Sequence, residues 1–425
     1  MSTVWIGQVD LDRSVMPRAV SRLRGSGDET ARILVRLHGE VLGFVTLALT
    51  EDDIDRDGLV NAIRTELAVP LARHLAVDGL SLAEVAGDEP CRARARCHAR
   101  VEAVAQVPMT VVVCTRDRDE HLAACLKVLQ QIHHGWFEVV VVDNAPTSAA
   151  TLDCFRRMVG DDGRFRYVRE PVAGLSRARN RGVAEARCPV VAFTDDDAQV
   201  DPEWLRCIAA GFARDPRVGC VTGLVPPAEL DEPAQQYFDR RFSWSSRLEP
   251  RLYSLTDRRG LSSLYPYSAG LFGTGANFAV DRELLLDLGG FDEALGAGSP
   301  AGGGEELDVF VRVLRAGRSL AYEPSAVVWH HHRSSDRDLR RQLFRYGTGL
   351  TGFLTKYVRD IGTTAEILSR VPEGARQIWR MWSPAAIGRR APARLVLTEL
   401  AGMAAGPAAY GRGLRRVRRQ PTSGR

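Results

Sequence analysis

The sequence predicts an α/β protein built on a mostly parallel sheet that is flanked by helices. From residue 109 onwards, short apolar β-rich runs alternate with helical stretches that are long enough to be crossover connections. Acidic side chains follow several of these runs, which is typical of the carboxyl ends of parallel strands. A small N-terminal α+β module precedes this region, and a helical C-terminal region with a basic tail follows it.

Composition indicates a cytoplasmic globular protein. The chain has 425 residues, of which 45% are hydrophobic and 26% are charged, so it can form a large core. Its net charge of +4 is small for this length, and we expect no nucleic-acid partner. The eight cysteines lack the spacing of a zinc site, and we see neither a secretory signal nor ~18 uninterrupted apolar residues.

Residues 1–104 are predicted to form the N-terminal α+β module, whose role we cannot assign. Two β-rich runs within 31–49 surround a three-residue turn, 38–40, with glycine at its centre, which predicts a hairpin. A helical pattern over 57–77 is broken near Pro70, and the basic run that follows it resembles a linker. Nothing in this module indicates chemistry.

Residues 105–335 are predicted to form the main α/β domain. Its apolar runs and helical stretches have lengths typical of βα units. We predict strands over 109–115, 137–144, 165–170 and 189–195, and helices over 119–132, 149–159, 175–187 and 202–213.

Three adjacent carboxylates, Asp195, Asp196 and Asp197, end the fourth predicted strand. Adjacent like charges cost energy unless a cation lies among them, and oxygen ligands suit a hard divalent ion such as Mg²⁺ or Mn²⁺. Asp143 ends the second strand, so topology brings it to the same edge of the sheet. The alternative is an acidic, solvated loop start.

Two further constellations follow. The glycine-rich loop 296–304 runs into a helix that bears Glu305, Glu306 and Asp308, as a lid that positions a base would require. The helix dipole alone also favours acids in a first turn. His330, with its two neighbouring histidines, ends another β-rich run and could complete a metal shell, or these could form an exposed polar terminus.

Eight segments, in this order, resemble a family-2 glycosyltransferase with the GT-A fold. Each is weak alone, but together they extend over roughly half of the chain. They are CTRDR at 114–118, VVVVDN at 139–144, GLSRARNRGVAEA at 174–186, FTDDDAQ at 193–199, GTGANFAVDRE at 273–283, GGFDE at 289–293, EELDVFVR at 305–312 and VVWHHHR at 327–333.

The resemblance implies a set of nucleotide-binding residues. Thr115 and Arg116 would lie beside the nucleotide at the end of the first strand. Asp143 would accept a hydrogen bond from the base. Arg177 and Asn180 match the start of a family helix near the nucleotide and its diphosphate.

The resemblance also assigns the acids around the metal. Asp195 matches the acid on the ribose and metal side, and Asp197 matches the metal-binding acid of the Asp-x-Asp motif. The histidine run offers His330 as a further ligand, and which of the histidines 330–332 binds the metal stays open. Asp196 takes the middle position, and a register shift by one residue would make it the ligand instead. Mg²⁺ and Mn²⁺ are both expected.

The sugar-binding and catalytic positions follow in the same way. Gly275, Ala276 and Asn277 match the segment that lines the donor sugar and acceptor. Glu306 takes the position of the usual base, which is Asp in the family, and Glu305 takes that of the preceding Glu. Because Glu is one methylene longer than Asp, Glu305 and Asp308 stay open as alternative bases.

An inverting, metal-assisted transfer of a hexosyl or deoxyhexosyl group from a nucleotide sugar to a hydroxyl acceptor is therefore expected. A sugar-phosphate nucleotidyltransferase is the first alternative, although CTRDRDEH lacks the glycine-rich loop that binds a triphosphate. A non-catalytic scaffold that retains the fold is the second. The family setting implies a glycan or lipid-linked acceptor in bacterial cell-surface polysaccharide or glycolipid assembly.

The C-terminal region, 336–425, is predicted to be helical. Its apolar segment 393–411 is interrupted by charges and by Pro407, so we expect it to be packed or interfacial rather than membrane-spanning. The tail after Glu399 carries basic residues and no acids, which favours peripheral contact with an anionic membrane at the inner face of the cell. A disordered, solvated tail is the alternative.

Overall fold

The structure is a computed structural model, and it describes residues 3–13, 16–21, 28–49, 54–80, 104, 106–257, 261, 263–382 and 393–419. The predicted linker at 91–106 lies almost wholly outside these residues. The expected fold class is confirmed: two sheets and their helices form an α/β protein with an N-terminal α+β unit and a helical C-terminal part. The domain boundaries at 104/105 and 335/336 stay predictions.

The N-terminal unit is a four-stranded sheet covered by two helices. Its elements are β1 (Thr3–Asp10), β2 (Arg18–Ala19), β3 (Asp28–Leu37), β4 (Glu40–Ala48), α1 (Arg56–Glu66) and α2 (Ala68–Asp78). The strand order is β2-β1-β3-β4, with β1 parallel to β3. The predicted hairpin is therefore correct, and β1 was missed.

Two local details of this unit differ from the sequence prediction. The hairpin turn has two residues, His38 and Gly39, with φ of 51° and 80°, instead of three. The helices separate at Leu67, three residues before Pro70. Pro70 lies in the first turn of α2, where its missing N–H has no intrahelical partner to lose.

The larger sheet has nine strands in the order β11-β13-β10-β12-β8-β5-β6-β7, with β9 paired to β13. They are β5 (Met109–Thr115), β6 (Phe137–Asn144), β7 (Phe165–Glu170), β8 (Val190–Asp195), β9 (Ala198–Val200), β10 (Val218–Leu224), β11 (Arg251–Tyr253), β12 (Phe278–Asp281) and β13 (Ser319–His330). The first three predicted strands match β5 to β7 at both ends.

Strand direction explains where the polar residues gather. β5 is parallel to β6 and β8, and β10 is parallel to β13. β12 is antiparallel to both β8 and β10, so these two strands run in the same direction. The carboxyl ends of β5, β6, β8, β10 and β13 therefore share one edge of the sheet.

Helices cover both faces of this sheet and extend past its carboxyl edge. They are α3 (Asp119–Leu129), α4 (Ala150–Val159), α5 (Leu175–Glu185), α6 (Trp204–Phe212), α7 (Pro233–Phe242), α8 (Arg282–Asp287), α9 (Glu305–Arg315), α10 (Asp336–Val358), α11 (Ile361–Trp382) and α12 (Ala393–Arg419). None of the helices in the described ranges is both long and apolar enough to cross a membrane.

Helices α10 and α12 pack at near backbone contact. A Cβ atom added at Gly347 would lie 2.2 Å from the carbonyl oxygen of Glu399, and one at Gly402 would lie 2.2 Å from that of Phe344. Only glycine permits this approach. The predicted apolar segment 393–411 is therefore packed against α10.

The N-terminal unit is joined to the larger sheet by a buried ion pair. Arg36 of β3, whose side chain is 1% exposed, contacts Asp201 at 3.0 Å. Its guanidinium also donates to the carbonyl oxygen of Ser325 in β13. Breaking such a pair from one side is costly because it leaves a buried charge uncompensated.

Candidate active site

A crevice of about 1090 Å³ opens at the carboxyl edge of the larger sheet. The ends of β5, β8 and β13 form one side of it, and the glycine-rich loop with the start of α9 forms the other. Residues of α10, α11 and α12 also line the crevice. Sites for a single small ligand measure ~300–1,000 Å³, so this crevice lies at the upper end of that range.

Arginine side chains lie among the three aspartates at the end of β8. Arg118 contacts Asp196 at 2.5 Å and Asp197 at 3.0 Å. Arg333 contacts Asp197 at 3.2 Å, and the hydroxyl of Thr115 donates to Asp196 at 2.8 Å. The cationic partner that the acidic run requires is thus partly supplied by the chain itself.

Each aspartate has a different protonation tendency. Burial raises the pKa of Asp195 to about 7, against the opposing charge of Arg179. Burial likewise raises the pKa of Asp196 to about 6. For Asp197 the burial effect is outweighed by the charges of His330 and of two arginines, so its pKa lies well below the ordinary value. Asp197 is therefore the most strongly anionic of the three.

Asp195, Asp197 and His330 meet the donor requirements of a divalent metal ion. Their ligand atoms lie within 4.8 Å of one another, and Nε2 of His330 is 3.5 Å from Asp197. Nδ1 of His330 is buried and has no hydrogen-bond partner among the described residues. Two carboxylates and one imidazole suit Mn²⁺ or Mg²⁺.

The other two histidines of the run are directed elsewhere. The ring of His331 contacts Gln199, and its backbone N–H donates to the carbonyl oxygen of Asp197. His332 is buried against Phe238 and Trp244, and this burial lowers its pKa to about 2. Only His330 of the three lines the crevice.

The acids of α9 separate into three environments. Glu305 is 4% exposed and pairs with Arg179 at 3.0 Å. Glu306 is partly exposed in the crevice, where burial of its carboxyl and the charge of Glu305 raise its pKa to about 8. Asp308 pairs with Arg312 and Lys356 and does not line the crevice, so the structure disfavours it as an alternative base.

The glycine-rich loop is fixed by backbone contacts. The carbonyl oxygen of Ala297 accepts from the N–H of Leu175, and that of Gly298 accepts from Arg416 of α12. Gly304, with φ of 87°, begins α9, and a Cβ there would lie 2.7 Å from the carbonyl oxygen of Gly349. The loop thus holds the first turn of α9 against α10. Its movement as a lid stays a prediction.

Of the predicted nucleotide-binding and sugar-binding residues, some line the crevice and others do not. Thr115, Arg116, Gly275 and the three aspartates line it, as does Ala276. Asn277 is fully buried and donates to the carbonyl oxygens of Leu224 and Ala326, so it holds the sheet together.

Three more predicted residues lie behind the crevice wall. Asp143 is buried and accepts a hydrogen bond from Tyr167 at 2.6 Å. Arg177 pairs with Glu293 at 2.8 Å, and Asn180 bonds to both backbone groups of Phe291. None of the three predicted residues is among those that line the crevice, so their contact with a nucleotide stays a prediction that this placement does not favour.

Sequence reasoning did not single out several arginines that line the crevice, among them Arg118, Arg179 and Arg333. Arg179 is 3% exposed and bonds to Glu305, Asp195 and the carbonyl oxygen of Gly275. Residues two apart on a helix point in nearly opposite directions, so only one of Arg177 and Arg179 can face the crevice. The available signal was the motif RAR itself.

Residues 110–287 match the family model described as Glycosyl transferase family 2. A pre-mycofactocin glycosyltransferase of Mycobacterium tuberculosis is 28% identical over 298 residues, which cover 69% of this chain and 56% of that relative. A glucosyl-dolichyl phosphate glucuronosyltransferase of Haloferax volcanii is 26% identical over 228 residues, which cover 52% of this chain and 68% of that relative. The chain thus spans about half the length of the mycobacterial relative.

Among solved structures, a mannosyltransferase from Pyrobaculum calidifontis in complex with GDP-Man and Mn²⁺ is similar at a TM-score of 0.44. It is 19% identical, and the match covers 75% of this chain and 76% of that one. The family match ends before α9, so Glu306 and His330 lie outside it. Residues 110–287, which include the strand that ends in the aspartates of the crevice, are thus similar to glycosyl transferase family 2.

Proposed function

We propose that this protein is an inverting glycosyltransferase that moves a sugar from a nucleoside-diphosphate donor to a hydroxyl acceptor. One observation carries the proposal: the metal-type triad of Asp195, Asp197 and His330 lines the same cavity as Glu306. Transfer needs stabilisation of a departing diphosphate and removal of a proton from the acceptor. The two sets of residues suit these two needs.

The diphosphate would be held on the sheet side of the crevice. Arg118 and Arg333 contact Asp197, and both can turn towards phosphate oxygens when a divalent ion neutralises that carboxylate. When bound, the ion would stabilise the negative charge of the leaving diphosphate. The full set of crevice arginines is Arg116, Arg118, Arg179, Arg241, Arg333, Arg341, Arg345 and Arg370.

Glu306 would act as the general base. Its carboxylate takes the proton of the acceptor hydroxyl while that oxygen attacks the anomeric carbon and the bond to the diphosphate breaks. The raised pKa makes it a stronger base than an ordinary Glu. Because the displacement is direct and uses one base, the anomeric configuration inverts. Glu305 is less suited, since its Oε1 pairs with Arg179 and the residue is only 4% exposed.

The acceptor is proposed to be a glycan or a lipid-linked glycan of bacterial surface polysaccharide or glycolipid assembly, and the donor a hexosyl or deoxyhexosyl nucleotide. The Haloferax volcanii relative supports a lipid-linked acceptor, since its name contains a dolichyl phosphate. The exposed basic end of α12 supports peripheral attachment at the inner face of the cell membrane. The relative's name and the basic end of α12 are weaker arguments than the crevice residues that support the reaction itself.

A thermal-shift panel tests the proposal. Nucleoside diphosphates and nucleotide sugars are added with and without Mn²⁺, since a ligand of the folded state raises its melting temperature. We expect at least one nucleotide sugar to stabilise the protein more with Mn²⁺ than without. That donor is then assayed for hydrolysis and transfer, and the anomer of the product is determined by NMR.

The outcomes separate the alternatives. Stabilisation by a donor that is neither hydrolysed nor transferred would indicate a non-catalytic scaffold. Formation of a nucleotide sugar from a sugar phosphate and a nucleoside triphosphate would indicate a nucleotidyltransferase. A product with retained configuration would contradict the single-base displacement.

A further inference from the structure

We infer that His38, His74 and Asp78 of the N-terminal unit form a binding site for a transition-metal ion of the zinc type, separate from the crevice. His38 lies in the turn between β3 and β4, and the other two lie at the end of α2. None of the three lines the crevice. The inference does not depend on the proposed function.

The three side chains converge on one point. Nδ1 of His38 is 3.0 Å from Nε2 of His74 and 3.1 Å from Oδ2 of Asp78, and the latter two atoms are 3.0 Å apart. The ligand atoms of a tetrahedral zinc ion with ordinary bond lengths stand about 3.3 Å apart. The triangle therefore has the size of one face of such a coordination shell.

Hydrogen bonds among the three side chains do not make all three of these contacts favourable at once. Each of its three contacts requires a proton directed along it, and each ring nitrogen carries at most one, which serves a single linear bond. With one proton, two lone pairs face each other at about 3 Å; with a proton on each nitrogen, both N–H groups can donate to Oδ2 of Asp78, but the two nitrogens then lie 3.0 Å apart with no hydrogen bond between them. A single cation above the triangle makes all three contacts favourable at once.

The orientation of His74 is set by a second carboxylate. Its Nδ1 lies 3.2 Å from Oε2 of Glu40, the first residue of β4. A proton on Nδ1 would leave the lone pair of Nε2 directed at His38 and Asp78. Metal-bound histidines are held in this way, with the other ring nitrogen donating to a carboxylate.

Burial and backbone conformation agree with a built site. The side chains of His38 and Asp78 are 0% exposed, and that of His74 is 4% exposed. His38 has φ of 51°, a conformation in which His, Asn and Asp are enriched, so the turn accommodates this histidine. Two imidazoles and one carboxylate suit Zn²⁺ better than Mg²⁺ or Ca²⁺.

The test uses the full-length chain after chelation, with Asp197→Asn in every sample so that the crevice triad is impaired. Zn²⁺ is titrated by calorimetry and Co²⁺ by its visible absorption. We expect one equivalent of Zn²⁺ to bind and raise the melting temperature, and Asp78→Asn to weaken that binding by ~100-fold or more. Glu40→Gln should weaken it by ~10- to 100-fold.

Two controls keep the result interpretable. Each variant is compared with its own metal-free form, so a general loss of stability is not counted, and His38→Asn preserves a residue type that tolerates φ > 0. Asp57→Asn, on the exposed first turn of α1, should bind Zn²⁺ as the parent does. Failure of the parent to bind Zn²⁺, or equal affinity in the parent, Asp78→Asn and His38→Asn chains, would overturn the inference.

Discussion

The two sides of the crevice hold their carboxylates in different ways. On the sheet side, all of the aspartates 195–197 contact arginine side chains. On the helix side, Glu305 pairs with Arg179, whereas Glu306 forms no ion pair with any described residue. Carboxylates that are balanced by arginine can exchange those partners for a metal ion, while an unbalanced, poorly solvated carboxylate binds a proton. This difference fits the proposal that the sheet side binds the donor and that Glu306 transfers the proton.

Glu306→Gln is the change with the largest expected effect. The amide cannot accept the acceptor proton but keeps the size of the side chain, so we expect turnover to fall by ~10²-fold or more. Donor affinity should stay within a few-fold, because the sheet side is unchanged. Turnover and nucleotide affinity are measured on the same preparation.

Glu305→Gln is the matched variant on the neighbouring residue. It should impair stability and donor affinity more than Glu306→Gln does, because it removes the buried partner of Arg179. If Glu305→Gln abolishes turnover at unchanged affinity and Glu306→Gln is mild, the two roles are reversed.

Asp197→Asn tests the sheet side. The variant removes a charged ligand from the triad, so the gain in nucleoside diphosphate affinity caused by Mn²⁺ should disappear. Losing one charge-assisted contact, worth ~1.5–3 kcal/mol, corresponds to ~10- to 150-fold in affinity. Calorimetric titration of the nucleoside diphosphate with and without Mn²⁺ measures this change in affinity.

Asp338→Asn is the control for that experiment. Asp338 also lines the crevice but belongs to no metal-type cluster among the described residues. The Asp338→Asn variant should gain nucleoside diphosphate affinity from Mn²⁺ as the parent does. If Mn²⁺ raises the nucleoside diphosphate affinity equally in Asp197→Asn and in the parent, the metal ion does not bind through Asp197.

The pH dependence of turnover tests whether Glu306, unlike the arginine-paired aspartates, acts as the base. The unprotonated form of Glu306 is reactive and its pKa is about 8, so turnover should rise ~tenfold per pH unit below that value and then level off. In the folded state this carboxyl binds its proton more tightly than in the unfolded chain, so it costs stability as pH rises from its ordinary pKa towards 8. Glu306→Gln should therefore gain melting temperature relative to the parent over the same interval. Turnover that is flat from about pH 6 to about pH 9 would contradict the assignment.

The sheet side was the more predictable of the two regions. Strands β5 to β8 are short apolar runs, and parallel topology alone brings the acids at their ends to one edge. Asp195, Asp197 and Thr115, which the sequence placed at strand ends, all line the crevice, while their roles stay predictions. The sequence could not separate Arg177 from Arg179, because the phase of a helix against its sheet is set by packing.

Contacts between residues that are far apart in the sequence could not be predicted in this way. Asn277 carries the polarity of a ligand-binding residue, yet two carbonyl oxygens of the sheet occupy its amide. The N-terminal unit gave no chemical signal, because His38 is far along the chain from His74 and Asp78. Only the docking of α2 against the hairpin brings these three together.

The smallest expected effect concerns the basic end of α12, which closes the helix side. The buried residues Leu395 and Tyr410 of this helix pack with residues of α10, and Arg416 bonds to Gly298 of the glycine-rich loop. Deletion of the tail would therefore disturb the crevice as well as any membrane contact. The double variant Arg418→Gln, Arg419→Gln removes two exposed charges instead and leaves Arg416 in place.

This variant should reduce co-sedimentation with anionic vesicles by a few-fold at physiological salt. Each cation near such a surface contributes ~1 kcal/mol at most, and screening over ~8 Å lowers that value. The double variant Arg64→Gln, Arg73→Gln removes the same charge from exposed positions of α1 and α2 and should bind vesicles as the parent does. If both variants lose the same fraction of vesicle binding, the effect comes from net charge and not from the position of the arginines in α12. If neither variant loses binding, the basic end of α12 does not contact the membrane, and the helix serves only to line the crevice.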